Sequence, residues 1–436
     1  MSASEAQAAS AARSSSPASP PPASHVGGLP DWVIVAALGM LTGLQPVTTD
    51  LYLPALPQMQ QALGLTTAAA QWTLSVLILS FGIGQLVWGP ISDRFGRRPV
   101  LRWGLGLYVV SSLAATLAND LPVMLLARVV QGVGLSASVM CGRAMIRDLY
   151  APEQGARMMA RGMSGLGVIA LLGPILGGLT ATYLGWRATM SVLAIFGGVI
   201  LVFVWLKLPE TLPPARRQAH LHWGAMARNW WGIAQHPTFR AHTLLTSSTY
   251  GGLYAYLALS SFVFINVLGT SRTLFGVAMA SISLSYLGGT ILCRHWLPTH
   301  GLTGTVRLAG WCSLTGGLLL VIISGWQWLM GHHVPAWTLL PGMWVYAFAH
   351  ATHQSCGQTG VVSAFPTRAG AASALSGFLL SVTAFVIGTL LSLWTALPGW
   401  ADTIHPMTLS MGLGGAITAW IALGRVQRHG LSTDDA

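Results

Sequence analysis

Charged residues are scarce in this sequence. Asp, Glu, Lys and Arg together make up only 8% of the 436 residues, against about 25% in an average soluble protein. Lysine occurs once, as Lys207, so nearly all of the basic residues are arginines. So few charges beside 53% hydrophobic residues exclude an ordinary soluble protein of this size. The composition predicts a polytopic membrane protein.

Cysteine is also scarce, and its four positions show no metal-binding or redox spacing. All four lie in or beside apolar segments, at Cys141, Cys293, Cys312 and Cys356. We expect them to pack as small apolar residues inside helices, and we predict no metal site.

Apolar segments long enough to cross a bilayer, roughly twenty residues each, recur along the chain. Twelve candidate spans lie at about 32–57, 70–92, 100–118, 121–147, 160–183, 187–207, 240–268, 274–293, 304–325, 335–362, 370–396 and 401–424. Residues 1–29 are rich in Ser, Ala and Pro, which predicts a disordered cytoplasmic tail and not a signal peptide.

The net charge of +11 comes from arginine clusters in the short segments between the spans. With the N-terminus inside, only Arg187 and Arg272 fall on the outer side, as the excess of basic residues in cytoplasmic loops requires. We interpret this excess as an orientation signal and predict no nucleic-acid binding. An even number of spans then leaves both termini in the cytoplasm.

The longest connection between spans, at 208–239, divides them into six and six. Its second part, HWGAMARNWWGIAQH, predicts an amphipathic helix on the inner membrane surface. The predicted domains are a six-helix bundle at 30–207, this linker, a second six-helix bundle at 240–424 and a cytoplasmic tail at 425–436. The fold class predicted is therefore an all-α membrane protein with two pseudo-symmetric halves.

The segment GPISDRFGRRPV, between the second and third spans, resembles the signature G-x-x-x-D-R-x-G-R-R of the major facilitator superfamily. The matching positions are Gly89, Asp93, Arg94, Gly96, Arg97 and Arg98. The resemblance implies a conformational lock on the cytoplasmic side, in which Asp93 faces the N-terminal end of the eleventh helix. The corresponding loop of the second half, CRHWLPTHGLTGTVR, has no aspartate, so we expect an asymmetric lock.

The first span contains a carboxylate, Asp50, at a depth where a charge is costly. Pro54 cannot donate the hydrogen bond that the Asp50 carbonyl group would accept. Arg128 is the only basic residue deep in a span, and its depth in the fourth span matches that of Asp50. We predict that the two face one cavity and influence each other's charge. The alternative is a static buried ion pair that fixes helix packing.

Burial favours the neutral form of a carboxyl group, whereas a nearby guanidinium group favours the charged form. Filling of the cavity by water or by substrate would then decide whether the carboxyl group is protonated. We therefore predict that Asp50 carries a proton and that Arg128 tunes its release.

Three segments narrow the resemblance to twelve-helix drug:proton antiporters of the Bcr/CflA type. They are TDLYLPALP from Thr49 to Pro57, R-x-x-Q-G at Arg128, Gln131 and Gly132, and a G-P-x-x-G-G segment in the fifth span. The resemblance implies a monomeric exporter of small amphiphilic compounds, including chloramphenicol-like drugs, in the bacterial inner membrane.

The fifth-span segment consists of Gly173, Pro174, Gly177 and Gly178. A proline bends a helix, and glycines four residues apart let another helix approach closely. We predict a hinge that also seals against the eighth helix. Ordinary packing of small residues is the alternative.

The tenth span carries polar residues in HATHQSCGQ, which lipid cannot satisfy. We predict structural hydrogen bonds for them, with substrate contact as the alternative. Broad drug pockets also use aromatic side chains. The candidates for the substrate cavity are Tyr52, Gln131, Tyr254, Tyr256, Asn266, Tyr346, His350, His353 and Gln354.

The sequence thus predicts proton-coupled export of small hydrophobic compounds by rocking of two halves. No ATP-binding loop is present, so we expect no cofactor and a proton gradient as the energy source. A proton-coupled importer of a small metabolite is the alternative within transport. An intramembrane enzyme is the alternative outside it, for which only His350 and His353 approach an active site.

Overall fold

A computed structural model describes residues 30–331 and 334–431. The tail predicted at 1–29 and the final residues 432–436 lie outside the described residues. All regular secondary structure within the described ranges is helical, as predicted.

The helices are α1 (Asp31–Asp50), α2 (Leu56–Ala62), α3 (Thr67–Phe95), α4 (Arg97–Leu117), α5 (Leu121–Leu149), α6 (Pro152–Tyr183), α7 (Trp186–Lys207), α8 (Trp223–Gln235), α9 (Pro237–Ser261), α10 (Arg272–Met330), α11 (Leu340–Ser363), α12 (Ala369–Thr395), α13 (His405–Trp420) and α14 (Val426–His429). Short irregular turns join some of them, notably a 3₁₀ turn at Leu53–Ala55 and a π turn at Phe262–Val267.

Nine helical segments of the described chain are long and apolar enough to cross a membrane. One of them, the 59-residue α10, is broken at Gly301, whose φ of 64° is left-handed. Cys293 before the break and Ser313 after it lie against one stretch of α11, at Cys356 and His353 respectively. Since residues so far apart in one helix cannot both reach that stretch, α10 folds back at Gly301. Its two arms match the predicted spans 274–293 and 304–325.

The first span, predicted at about 32–57, is interrupted in the structure. Helix α1 ends at Asp50, the 3₁₀ turn contains Pro54, and α2 starts at Leu56. Because Pro54 has no N–H group, the carbonyl group of Asp50 cannot be bonded as in a continuous helix. The break therefore places Asp50 at a helix end inside the protein.

Helices α1–α7 pack mainly against one another, and so do helices α9–α13. We call these sets the first and second groups. Contacts between the groups are made chiefly by α3 with α12 and by α6 with α10. The exact domain limits drawn from the sequence stay a prediction.

The predicted amphipathic helix of the linker is α8. Trp223 and Trp231 on this helix are exposed, which suits side chains at a membrane surface. Trp230 instead packs into a cluster formed by Ile233, Phe365 and other buried residues. The linker helix is therefore anchored to the second group along one face.

Candidate functional site

The carboxyl group of Asp50 lies at the junction of the two groups. Its Oδ1 accepts a hydrogen bond of 2.8 Å from Thr49 Oγ1. It is also close enough to the hydroxyl groups of Tyr250 and Tyr256, on α9, to interact with them electrostatically. No ion pair to Asp50 is found in the described part of the chain. Asp50 therefore faces the second group without a counter-charge.

The guanidinium group of Arg128 is enclosed within the first group. Its side chain is fully buried, and Nη1 donates to Gln131 Oε1 at 2.8 Å. Nη2 lies 3.4 Å from Sδ of Met190. The Tyr52 ring lies beneath Cζ, with 3.9 Å to the ring centroid, which is a short cation–π distance. Arg128 is thus held by an aromatic ring and an amide.

The structure does not bring Asp50 and Arg128 together, in contrast to the sequence prediction. No ion pair between them is found among the described residues. The reason is local: α1 ends at Asp50, and the following turn points Tyr52 toward α5. Matching depth in two helices says nothing about the direction in which each side chain points.

Several predicted cavity residues are instead packed inside one group. The Tyr52 hydroxyl group lies 2.8 Å from Thr73 Oγ1, and Gln131 Nε2 donates to Ser112 Oγ at 2.7 Å. Both residues are fully buried in the first group. Their polar atoms satisfy one another and leave no open surface for a ligand.

In the second group, Tyr346 donates to the carbonyl group of Thr249 at 3.1 Å, and His350 Nδ1 bonds the Thr249 hydroxyl group at 3.1 Å. His353 Nε2 bonds Ser313 Oγ at 3.1 Å. All three predicted cavity residues are buried. These bonds tie α11 to α9 and α10.

The remaining candidates are in different surroundings. Tyr256 is buried, and its hydroxyl group has no partner among the described residues. Asn266 is exposed in the π turn, and Gln354 is half-buried. Tyr254 alone bonds across the two groups, to Ser75 at 2.7 Å.

The glycine segment of α6 contributes to a seal between the groups. A Cβ atom on Gly178 would lie 2.7 Å from the carbonyl oxygen of Arg272, at the start of α10, and one on Gly177 would clash with the carbonyl oxygen of Leu51. A Cβ atom on Gly173 would meet nothing within 4 Å. Pro174 is also in close contact, since a Cβ atom on Gly276 would lie 2.5 Å from its carbonyl oxygen. Three of the four residues therefore pack closely, and Gly173 does not.

The signature between α3 and α4 forms an ionic cluster around Arg97. Arg97 pairs with Asp93 at 2.6 Å and with Asp148 at 2.9 Å. Glu210 from the linker accepts bonds from the backbone N–H groups of Arg97 and Arg98, at 2.9 and 3.2 Å. A carboxylate suits this position because the N-terminal end of a helix carries a partial positive charge.

Other signature positions shape this cluster. Gly96 has φ of 100°, a left-handed conformation that other residues rarely adopt, and a Cβ atom there would clash with the Glu210 carboxylate. Gly89 approaches Met140 of α5. Arg94 lies over the Phe95 ring, with 5.2 Å to the centroid. The signature residues therefore make these contacts within the first group and with the linker in this structure.

The structure does not contain the expected contact between Asp93 and the N-terminal end of the eleventh span. Asp93 is bonded to Arg97, and its backbone carbonyl group accepts from Gln218. Arg147 instead reaches the first turn of α12, where a Cβ atom on Gly370 would lie 2.8 Å from its Nη1. A cation there opposes the helix dipole, so this end is not held by a charge lock in this state.

A cavity of about 220 Å³ opens between the groups at the same end, which we call the arginine-rich end. We call this space the interhelical cavity. Its described lining residues are Gln85, Val139, Met140, Arg143, Arg147, Met159, Val362, Ala369, Gly370, Ser373 and Ala374. None of the nine cavity candidates named from the sequence is among them. The signal that was missed is the spacing of Met140, Arg143 and Arg147, which places them on one face of α5.

The groups are closed at the other end, which we call the opposite end. Besides the bond between Ser75 and Tyr254, Gln71 Nε2 donates to Thr395 Oγ1 at 3.4 Å. One end open and one end closed is the geometry of one state in alternating access around a central site.

Comparison with known proteins agrees with this architecture. The sequence pattern of the Major Facilitator Superfamily matches residues 38–389. The chain belongs to the major facilitator superfamily. It is 30% identical over 387 residues to a chloramphenicol resistance protein of Pseudomonas aeruginosa, covering 86% of each chain.

Two further superfamily members illustrate the range of the similarity. Multidrug resistance protein D of Escherichia coli is 28% identical over 401 residues, covering 91% of this chain and 97% of that protein. The crystal structure of a D-xylose–proton symporter aligns with a TM-score of 0.68 at 16% identity, covering 90% of this chain and 97% of that one. At this identity the symporter shows the fold alone.

Proposed function

We propose that this chain exports small amphiphilic compounds, including chloramphenicol-like antibiotics, in exchange for protons. The proposal depends most on one observation: Asp50 faces the second group with no counter-charge among the described residues. A carboxyl group without a cation partner is costly when charged and buried, so it readily takes up a proton. The full-length similarity to drug-resistance transporters supports the class of substrate.

In the proposed cycle, Asp50 gains a proton when the opposite end opens and loses it when the interhelical cavity opens. The arrangement between the two groups supports this, since rocking would change what surrounds the carboxyl group. Arg128 does not pair with Asp50 in this state. Its proposed part is to fix Tyr52, and through it the break that positions Asp50.

We further propose that the arginine-rich end faces the cytoplasm of a bacterial cell, with both termini inside and the chain in the inner membrane. The clustering of arginines at this end supports that orientation. The proposed transporter acts as a monomer, uses no cofactor, binds no nucleic acid and catalyses no chemical reaction.

Accumulation of chloramphenicol in cells that lack their own drug exporters tests this function. Cells that express the chain should accumulate less drug than cells with the empty vector, and an uncoupler of the proton gradient should remove the difference. A proton-coupled importer would instead raise accumulation of its substrate, and an uncoupler would lower it. Unchanged drug accumulation would contradict chloramphenicol export.

A further inference from the structure

The interhelical cavity has a wall of unmatched positive charge. Arg143 and Arg147 lie one turn apart on α5 and both line it. Neither has a hydrogen bond or an ion pair with any side chain that the structure describes. Like charges one turn apart destabilise a helix unless something compensates them.

The carboxylates near this end are paired with residues outside the cavity. Asp148 directly follows Arg147, but its Oδ2 accepts from Arg97 at 2.9 Å and from Thr211 at 3.4 Å. Asp93 is likewise paired with Arg97. Because adjacent residues of a helix point about 100° apart, Asp148 faces away from the cavity. The described lining of the cavity contains no carboxylate.

The amide of Gln85 adds a second polar group without a partner among the described residues. The Gln85 side chain is only 6% exposed, lines the cavity and has no hydrogen-bond partner among the described residues. It lies beside Gly377 of α12, where a Cβ atom would be 2.7 Å from Oε1. The amide therefore has donors and an acceptor free to bond a polar group of a ligand in the cavity.

Most of the rest of the described cavity lining is apolar, and we call this part the apolar wall. Val139, Met140, Met159, Val362 and Ala374 form it. Methionine side chains adapt to ligands of differing shape. The volume of about 220 Å³ exceeds the roughly 150 Å³ of an engineered apolar cavity that binds benzene. The space therefore accepts one aromatic ring with a polar substituent.

We propose that the interhelical cavity binds amphiphilic substrates that carry an acidic group, with Arg143 and Arg147 binding a carboxylate or sulfonate. This inference rests on the proposed export function and adds acid-bearing amphiphiles to its substrates, beside uncharged compounds such as chloramphenicol. Arginine binds such groups through paired, charge-assisted N–H donors. Gln85 and the first turn of α12 complete the polar wall, and the apolar wall contacts the ring. Cationic compounds are disfavoured.

A bound anion would lie between the two groups, because the arginines and the start of α12 are on opposite sides of the cavity. Arg143 and Arg147 belong to the first group, whereas Ala369, Gly370 and Ser373 of α12 belong to the second. An anion bound between them would attract both the guanidinium groups and the positive end of α12. Substrate would thereby neutralise the contact that repels in the empty cavity and favour closure of the arginine-rich end.

Binding of two matched probes to the purified full chain, measured by calorimetry at low ionic strength, tests the proposal. Salicylate and its uncharged amide, salicylamide, share size and ring but differ in charge. We expect salicylate to bind about tenfold more tightly, and the Arg143→Gln/Arg147→Gln variant to lose that preference. Arg102→Gln is the control, because Arg102 lies over Trp205 away from the cavity and should leave the preference unchanged.

Equal binding of both probes by the unaltered chain, or a preference that survives the double variant, would overturn the proposal. Inorganic phosphate distinguishes a general anion site from a substrate site: displacement of salicylate by equimolar phosphate would contradict recognition of an amphiphile. Thermal unfolding verifies that the double variant is folded. The Gln85→Leu variant keeps both arginines, so it should weaken salicylate binding less than the double variant does. The assay needs no proton gradient, so failure of chloramphenicol export alone would leave its result intact.

Discussion

The guanidinium group of Arg128 lies over the ring of Tyr52, with 3.9 Å between Cζ and the ring centroid. Tyr52 follows Asp50 by two residues, at the point where α1 is broken. The deepest cation of the first group is therefore linked to the proposed proton carrier through the backbone of a helix break. Arg128 would then affect proton coupling by holding the helix break, and with it Asp50, in place.

The first prediction compares two arginines that each stack on an aromatic ring. Arg128→Ala should impair transport more than Arg102→Ala, because it leaves a buried cavity and removes the partner of Gln131. We expect Arg128→Ala to lower the free energy of unfolding by about 2–4 kcal/mol. Arg102→Ala should lower it by less than about 1 kcal/mol, because Arg102 lies over Trp205 near the surface. Thermal unfolding in detergent and drug accumulation check this, and equal effects would contradict it.

The second prediction concerns the glycine segment of α6. Gly178→Ala should open the seal at the opposite end, because its Cβ atom would clash with the backbone of α10. Gly173→Ala is the matched control: it meets nothing and should be neutral or stabilising by up to about 1 kcal/mol. Transport rates of the two variants measure the difference. Loss of transport in Gly173→Ala with none in Gly178→Ala would reverse the assignment.

The third prediction uses two tyrosines that each donate or accept one buried hydrogen bond. Tyr254→Phe removes a bond between the groups, and Tyr346→Phe removes one within the second group. Each should cost about 1 kcal/mol of stability. Only Tyr254→Phe should raise the accessibility of the opposite end to a thiol reagent, at a cysteine introduced there. The same rise in both variants would argue against a seal at Tyr254.

The fourth prediction concerns the ionic cluster at the arginine-rich end. Arg97→Gln leaves Asp93 and Asp148 without their partner and should destabilise the chain by about 3 kcal/mol. Arg94→Gln, the neighbouring change, removes only a stacking contact with Phe95 and should have little effect. Thermal unfolding of the two variants compares their stabilities. Similar unfolding temperatures would show that the cluster adds nothing to stability.

The sequence predicts the helices well, because the length of an apolar run is a local property. The predicted span 121–147 became α5 at Leu121–Leu149, and 187–207 became α7 at Trp186–Lys207. The break in the first span was also predictable, since Pro54 removes a bond whatever the surroundings. The all-helical major facilitator fold follows from such local signals together with the family signature.

The arrangement of side chains around the site was less predictable. Asp50 and Arg128 match in depth, yet the break turns Tyr52, and not Asp50, toward Arg128. Likewise, Asp148 follows Arg147 directly but pairs with Arg97 on the other side of α5. Spacing fixes which residues share a helix face, but which neighbouring helix that face meets depends on packing, which composition and spacing do not encode.

The central claim is that Asp50 exchanges a proton as substrate binds and leaves. Proton release on addition of chloramphenicol to inverted membrane vesicles, followed with a pH-sensitive dye, tests it directly. Asp120→Asn is the control, since an asparagine still caps α5 as Asp120 does. We predict proton release by the unaltered chain and by Asp120→Asn, and none by Asp50→Asn. Undiminished release by an inserted, folded Asp50→Asn variant would contradict the claim.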